Sequence, residues 1–395
     1  MYKVDDLLEV EIKKIVPGGY GLAFTEGLTL FVALAVAGDT LVVRLREIKG
    51  KTAFAEVEKI VKASPERIVP PCPYVGRCGG CDFQQMTYSA QLSAKLGIIR
   101  DNLERIGKIE YENEIKIVPS PQEFGYRLRA QWHVQTNKRE IGYYARDSRN
   151  LIPIDHCPIL VPELDEALQK VRAEMDWTNF WPDKGAIDAA CGDDSSVSLY
   201  STDIDLGDNE IIFSAAGEHY TFAAHAFFQG NKYLIETLIK TAIGDAAGQH
   251  ALDLYSGVGL FTLPLARRFK RVTAVEDYLP AVDFALENIA KAGITNVEVV
   301  RKPVGRFLAE GSRAKIDFVL IDPPRSGTEK KTVLDLINLK PKTVSYVSCD
   351  PSVLARDLRR FLDGGYKIDA ITAIDLFPQT HHVETVVMLK ASDSI

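Results

Sequence analysis

Over the first sixty positions, apolar and polar residues alternate with a period of two, in short bursts cut by glycines. Residues 8–15 alternate, Pro17-Gly18-Gly19-Tyr20-Gly21 turns, and the runs 28–36, 40–47 and 52–61 follow. Each burst predicts a half-buried strand, because alternation puts every second side chain on one face. Strands so evenly spaced predict a small closed β-barrel of the oligonucleotide-binding kind over residues 1–62, with 63–67 as a linker. From 68 to 215 the pattern predicts a mixed α+β region, with a helix near 88–106 and strands around 126–135, 140–145, 196–201 and 209–214. From 216 to 395 helical stretches alternate with apolar runs at 251–254, 271–275, 317–321, 343–347 and 368–374. This predicts an α/β architecture, a doubly wound and mostly parallel sheet that binds ligands beyond the carboxyl ends of its strands. The run 383–389 follows 368–374 after a short turn, Phe377-Pro378-Gln379-Thr380. Such a hairpin makes the last strand antiparallel, so that it begins where the others end.

The chain has 395 residues, enough for two or three domains, with 46% hydrophobic and 26% charged residues. No apolar run is long enough to span a bilayer, and the start lacks a basic stretch followed by an apolar one. A cytoplasmic chain with no membrane partner is expected, and a monomer. The net charge of −7 gives no support to general nucleic-acid binding, so any such contact must come from a local patch. One candidate is 127–149, where Arg127, Arg129, Lys138, Arg139, Arg146 and Arg149 face only Glu140 and Asp147. Trp132, His133, Tyr143 and Tyr144 are interleaved there. That mixture suits phosphate contacts beside stacking surfaces. A solvated strand face with core aromatics would look the same.

Leu252-Asp253-Leu254-Tyr255-Ser256-Gly257-Val258-Gly259 runs from strand into a glycine turn, and Glu276 ends the next strand. Gly257 and Gly259 let the backbone approach a ligand, and an acid at the spacing of Glu276 binds ribose hydroxyls. A dinucleotide fingerprint would want Gly or Ala at 262, where Thr262 stands, so S-adenosylmethionine fits better than NAD. Asp322-Pro323-Pro324-Arg325 turns after a later strand. Beyond the next comes Cys349, in Tyr346-Val347-Ser348-Cys349-Asp350-Pro351, and Glu384 opens the last strand.

A thiolate and a base near a methyl donor are the parts needed to methylate C5 of a pyrimidine. C5 of uracil is too weak a nucleophile until a thiolate adds at C6, and a base must afterwards remove the C5 proton. Cys349 is the candidate nucleophile and Glu384 the candidate base, with His381 and His382 as competing bases. The bland alternatives are an inert buried thiol and a salt-bridged acid.

The motifs around Cys349, Asp322 and Glu384, with Phe227-Phe228-Gln229-Gly230-Asn231, resemble the signatures of the RNA uracil-C5 methyltransferases, and the similarity runs over the whole chain. The resemblance implies a class I, Rossmann-like methyltransferase domain over 216–395 and a TRAM-type RNA-binding barrel over 1–62. It further implies RNA as partner, Cys349 as nucleophile and Glu384 as base, with Gln229, Tyr255, Glu276 and Asp322 around cofactor and target uracil. Phe227 is expected near an extruded base. Its alternative is a core aromatic. Leu260 departs from the family, in which several members place a polar residue there.

Cys72, Cys78 and Cys81, with Cys157 far downstream, supply four thiols; Pro73 and Pro158 follow the outer two, and Gly76, Gly79 and Gly80 loosen the loop. Four thiolates suit zinc or a cubane iron–sulfur cluster. One Cys-x-x-Cys knuckle rather than two leans toward iron–sulfur, and the resemblance implies a [4Fe–4S] cluster in the region 68–215. Cys191 matches no motif. A catalytically silent RNA-binding iron–sulfur protein, an NAD oxidoreductase and a cytosine-C5 enzyme are the competing readings. Among RNAs, the large-subunit ribosomal RNA is favoured over the transfer-RNA T-loop.

Overall fold

The computed structural model describes residues 2–178, 183–207, 209–311 and 315–392. Six strands open the chain: β1 (Leu7–Glu11), β2 (Lys14–Val16), β3 (Tyr20–Thr25), β4 (Leu28–Val32), β5 (Thr40–Lys49) and β6 (Thr52–Lys62). They form one sheet in the order β1-β5-β6-β4-β3-β2. β1 pairs with β5 and β2 with β3, so one bent stretch of chain holds both edges of the sheet. The sheet thereby wraps around a core that includes Val10, Leu30, Val43 and Ala53. The alternation missed β3, because the glycine turn leads straight into it. Asp39, fully buried, accepts from the amides of Val36 (2.7 Å) and Ser64 (2.9 Å) and from Arg67 (2.6 Å). The expected linker 63–67 is thus pinned to the barrel.

Helix α1 (Tyr88–Arg105), capped by the Thr87 hydroxyl, is followed by a short strand β7 (Lys116–Val118). Next come β8 (Arg129–Gln135), β9 (Glu140–Tyr144), β10 (Leu151–Pro153), helix α2 (Pro162–Glu174), β11 (Lys184–Cys191) and β12 (Val197–Tyr200). These five strands form an antiparallel sheet, β10-β9-β8-β11-β12. Trp132 is fully buried in its core, so it offers no stacking surface. A hairpin of β13 (Ile211–Ala215) and β14 (Glu218–Phe222) runs across position 216.

The remainder alternates as the periodicity predicts: α3 (Ile235–Ile243), β15 (Gly248–Leu254), α4 (Thr262–Ala266), β16 (Phe269–Glu276), α5 (Leu279–Lys291), β17 (Val297–Arg301), α6 (Val304–Ala309), β18 (Phe318–Ile321), α7 (Lys330–Asn338), β19 (Thr343–Ser348), α8 (Pro351–Asp363), β20 (Tyr366–Ile374) and β21 (Glu384–Ala391). The sheet order is β17-β16-β15-β18-β19-β21-β20-β7. β15 to β19 are parallel and β21 is antiparallel to both its neighbours. Both faces are covered, and β18 is buried at all four residues, which is why it reads as a continuous apolar run. The strand order reverses between β15 and β18, which makes their carboxyl ends the expected ligand crevice. No helix among the described residues is long and apolar enough to cross a membrane.

Candidate active site

Register brings the chemistry together. Leu254 pairs with Ile321 and Ile321 with Tyr346, so Tyr255 and Asp322 leave adjacent strands at the switch point, with Cys349 three residues beyond Tyr346. Ser348 lies opposite Thr385 in the antiparallel β19–β21 pair. Cys349 and Glu384 each lie one position beyond that last pair, close enough for the charge of Glu384 to act on the Cys349 thiol. Asp350 then caps α8, accepting from the amides of Ser352 (2.8 Å) and Val353 (3.1 Å), with Pro351 in the first turn. Cys349 is thereby held in the short step between a buried strand and a capped helix, half-buried rather than packed away.

The electrostatics of this edge oppose ionisation. The Cys349 thiol is pushed up to about 12, by burial first and then by the charge of Glu384, with the nearby Arg325 pulling it down. Glu384 is 3% exposed and its Oε1 has no hydrogen-bond partner. Burial, then Asp322, lifts its carboxyl well above the ordinary range, again against Arg325. Asp322 is raised to about 7 by its removal from water and by Asp253. Gln229, nearly buried, reaches Asp322 Oδ2 with its Nε2 at 3.5 Å. A buried carboxyl with an unpartnered oxygen, near a thiol and a second acid, marks a candidate functional site. His382 is pushed down to about 3 by burial, His381 and Arg325. His381 Nδ1 lies 2.5 Å from Asp82 Oδ2.

The glycine loop has the strained backbone that such turns require. Tyr255, Gly257 and Gly259 take φ of 63°, 53° and 94°. Glu276 fastens the loop, accepting from the Gly257 amide (2.9 Å) and, through its other oxygen, from the amides of Asp277 (2.8 Å) and Tyr278 (2.9 Å). Thr262, the residue that spoils a dinucleotide fingerprint, donates its hydroxyl to Asp253 Oδ2 at 2.5 Å. Asp253 is fully buried, its other oxygen unpartnered, and its carboxyl is raised to about 7 by burial. Sequence reasoning passed over Asp253 and gave Arg325 no role. An acid flanked by leucines in a buried strand was the available signal for the first.

Arg127 and Arg129, expected to contact phosphate, are half-buried and donate to the protein's own backbone. Arg129 donates to the carbonyls of Ala226 (2.6 Å) and Ala224 (2.8 Å) and lies 5.9 Å from the ring of Phe227. Arg127 lines a cavity and donates to the Arg129 carbonyl at 2.9 Å. Both terminal nitrogens of Arg129 are thus held by backbone, and Arg127 is held through its Nε. Phe227 is 66% exposed, which excludes the core reading of that aromatic.

The cavity beside Arg127 measures about 270 Å³, and Cys72, Cys78, Cys81 and Cys157 all line it. Phe377, Thr380, His382 and Arg325 also line it. Gly79 is packed so tightly on the β9–β10 hairpin that an added Cβ would lie 3.1 Å from the Tyr144 carbonyl oxygen. Burial lifts the thiols of Cys78, Cys81 and Cys157, the last to about 11. Among the described residues, no three His, Cys, Asp or Glu side chains are set to hold a single metal ion. Cys191 is buried at the end of β11, apart from this group.

Residues 203–392 match the family model described as tRNA (Uracil-5-)-methyltransferase. The 23S rRNA (uracil(1939)-C(5))-methyltransferase RlmD of Pseudomonas fluorescens is 30% identical over 422 residues, covering 96% of this chain and 93% of that one. The chain belongs to the RNA uracil-C5 methyltransferase family. An RNA methyltransferase of Gloeobacter violaceus is also 30% identical, over 97% of this methyltransferase and 96% of its own length. The crystal structure of a Pyrococcus abyssi tRNA (uracil-54, C5)-methyltransferase in complex with S-adenosyl-L-homocysteine superposes with a TM-score of 0.74 at 26% identity. The match covers 97% of this chain and 100% of that one. As an RNA uracil-C5 methyltransferase, the protein has the class I α/β fold of the family in its eight-stranded sheet.

Proposed function

We propose that this enzyme methylates C5 of a uridine in 23S ribosomal RNA through a covalent adduct between Cys349 and C6. The observation that carries the proposal is the nearness of Cys349, Glu384 and Asp322 where β19 meets β21, close enough for their charges to act on one another. S-adenosylmethionine, when bound, supplies the methyl group as an electrophile. Gly257 and Gly259 leave room for it, Glu276 stands at the end of β16 for its ribose, and Asp322 and Gln229 close the crevice towards the base. The Cys349 thiolate adds to C6, which makes C5 nucleophilic. After methyl transfer Glu384 takes the C5 proton, the C5=C6 bond reforms and the sulfur leaves. Arg325, which favours the charged forms of both Cys349 and Glu384, steadies the thiolate.

We infer that the N-terminal barrel is a TRAM domain that holds the surrounding RNA. Its outer surface supports this: Phe31 and Phe54 stack at 5.5 Å, Tyr20 meets Phe54 edge-on at 5.6 Å, and Arg146 lies over Tyr20 at 4.6 Å. Half-buried rings beside a cation suit unpaired bases. Mass mapping of 5-methyluridine in RNA from a strain lacking the gene tests the substrate. Loss of one large-subunit site is expected, and loss of the transfer-RNA T-loop methyl instead would move the enzyme to that substrate.

We also propose that Cys72, Cys78, Cys81 and Cys157 hold a [4Fe–4S] cluster with a bracing role. The support is their shared cavity and their raised thiols, which need a cation to ionise. Anaerobically purified protein is expected to be brown and to contain about four irons per chain, as a cubane holds; Cys78→Ser should lose both iron and colour. A colourless, iron-free anaerobic preparation of the wild type would overturn this assignment.

A further inference from the structure

The turn between β20 and β21 delivers Glu384, and little within the turn itself fixes its shape. Its internal bonds are few, such as Thr380 N to Phe377 O at 3.2 Å, and Gln379 takes a φ of 70°. Its position comes from outside: the amides of Asp82 and Phe83 hold the Gln379 carbonyl (3.1 and 3.0 Å), the Tyr126 hydroxyl holds the Pro378 carbonyl (2.9 Å), and α1 holds the start of the turn and Gln379. Lys95 and Asp375 form an ion pair in which both side chains are 0% exposed, and Lys95 Nζ also donates to the Phe377 carbonyl at 2.9 Å. The Tyr88 hydroxyl donates to Asp375 Oδ2 at 2.8 Å. Gln91 binds Gln379 twice, accepting from its amide (2.9 Å) and donating to its side chain (3.0 Å).

Fully buried lysines are rare, and for stability alone an apolar pair of similar volume serves as well or better. What a buried pair does supply is a single permitted geometry. We propose that the Lys95–Asp375 pair, with Tyr88, is a positioning clasp for the catalytic base: it fixes the turn so that Glu384 meets the C5 proton. The proposal rests on the reading of Cys349 as nucleophile and Glu384 as base. In the step concerned, the C5 proton passes to a Glu384 oxygen, the C–H electron pair becomes the C5=C6 bond, and the C6–S pair returns to Cys349. The clasp should therefore matter to this last step and not to adduct formation or methyl transfer.

The test uses the full chain, RNA tritiated at uridine C5, and the double variant Lys95→Met/Asp375→Leu, which leaves no lone charge buried. Single-turnover methyl transfer and the KM for RNA are expected within about threefold of wild type. Tritium release should slow by about 100-fold, the cost of displacing a reacting group by an ångström, and a methylated RNA–protein adduct should accumulate on denaturing gels. Tyr88→Phe, which removes one hydroxyl and keeps the packing, should show the same split at about 5-fold, and carries the test if the double variant does not fold. Tritium release at the wild-type rate in the folded variants would overturn the clasp while leaving the mechanism intact. Equal loss of methyl transfer and tritium release with a raised RNA KM would also overturn it, assigning the pair to RNA docking. An adduct that forms equally with Cys349→Ala would overturn both the mechanism and the clasp.

Discussion

Cys349→Ala protein, folded like the wild type, is expected to transfer no measurable tritiated methyl to RNA, a loss on the order of 10⁴-fold or more. Removing the nucleophile of a covalent mechanism leaves only binding and positioning to accelerate the reaction. Stability should change little, since Cys349 is half-buried at a strand end and alanine leaves the Asp350 cap in place. RNA carrying 5-fluorouridine sharpens the test, because its C5 has no proton to lose and the adduct cannot resolve. Wild type should be trapped on that RNA and Cys349→Ala should not. An undiminished adduct in the variant would remove Cys349 from its role.

Glu384→Gln is expected to slow turnover by about 10²- to 10⁴-fold, the usual span for a general base, while the adduct still forms. The informative readout is the split: the covalent complex should accumulate on unmodified RNA, as it does for wild type only on fluorinated RNA. The pH profile adds a signature. Burial and Asp322 hold the Glu384 carboxyl above its ordinary range, so at low pH it is protonated and cannot accept the C5 proton. The rate should therefore climb with pH until the carboxyl ionises. Cys349, raised to about 12, adds a dependence of the same sign, because the thiolate is the attacking form. Glu384→Gln should lose one proton from the acid limb and keep the other. Unchanged turnover would shift the base to another group.

The raised carboxyls also bear on stability. In the folded protein Asp253 and Asp322 hold protons up to about pH 7, whereas an unfolded chain releases them near its ordinary carboxylate range. The native state thus binds more protons between those limits. The stability they confer is present below the ordinary carboxylate range and is lost as pH rises from there to about 7.

Much of the catalytic sheet was legible because its strands are buried on both faces and read as unbroken apolar runs, as in β18. The short step after β19 exposed Cys349 to view by its motif, and hairpin topology alone put Glu384 at the ligand edge. Strands at the margins were harder to see. β17 is only partly buried, Val-Glu-Val-Val-Arg with charges at two of five places, and β7 has three residues. β11 is rich in glycine and alanine, which carry no strand signal. Charge density along a sequence does not say which way a side chain turns, and Arg127 and Arg129 both donate to backbone carbonyls. Lys95 and Asp375 lie 280 residues apart, and nothing local in either segment announces a partner at that distance.

Strand β7 completes the outer flank of the catalytic sheet by lying parallel to β20. On a ribosome this triplet emerges long before the segment it pairs with has been made. Ile99 and Leu103 of α1, which share a core with Ile371 and Leu389, must wait in the same way. Native order in the early segments therefore follows, rather than precedes, the arrival of the carboxyl end. A nascent chain halted short of β20 carries an unpaired flank and an uncovered apolar helix, the combination that draws chaperones or self-association.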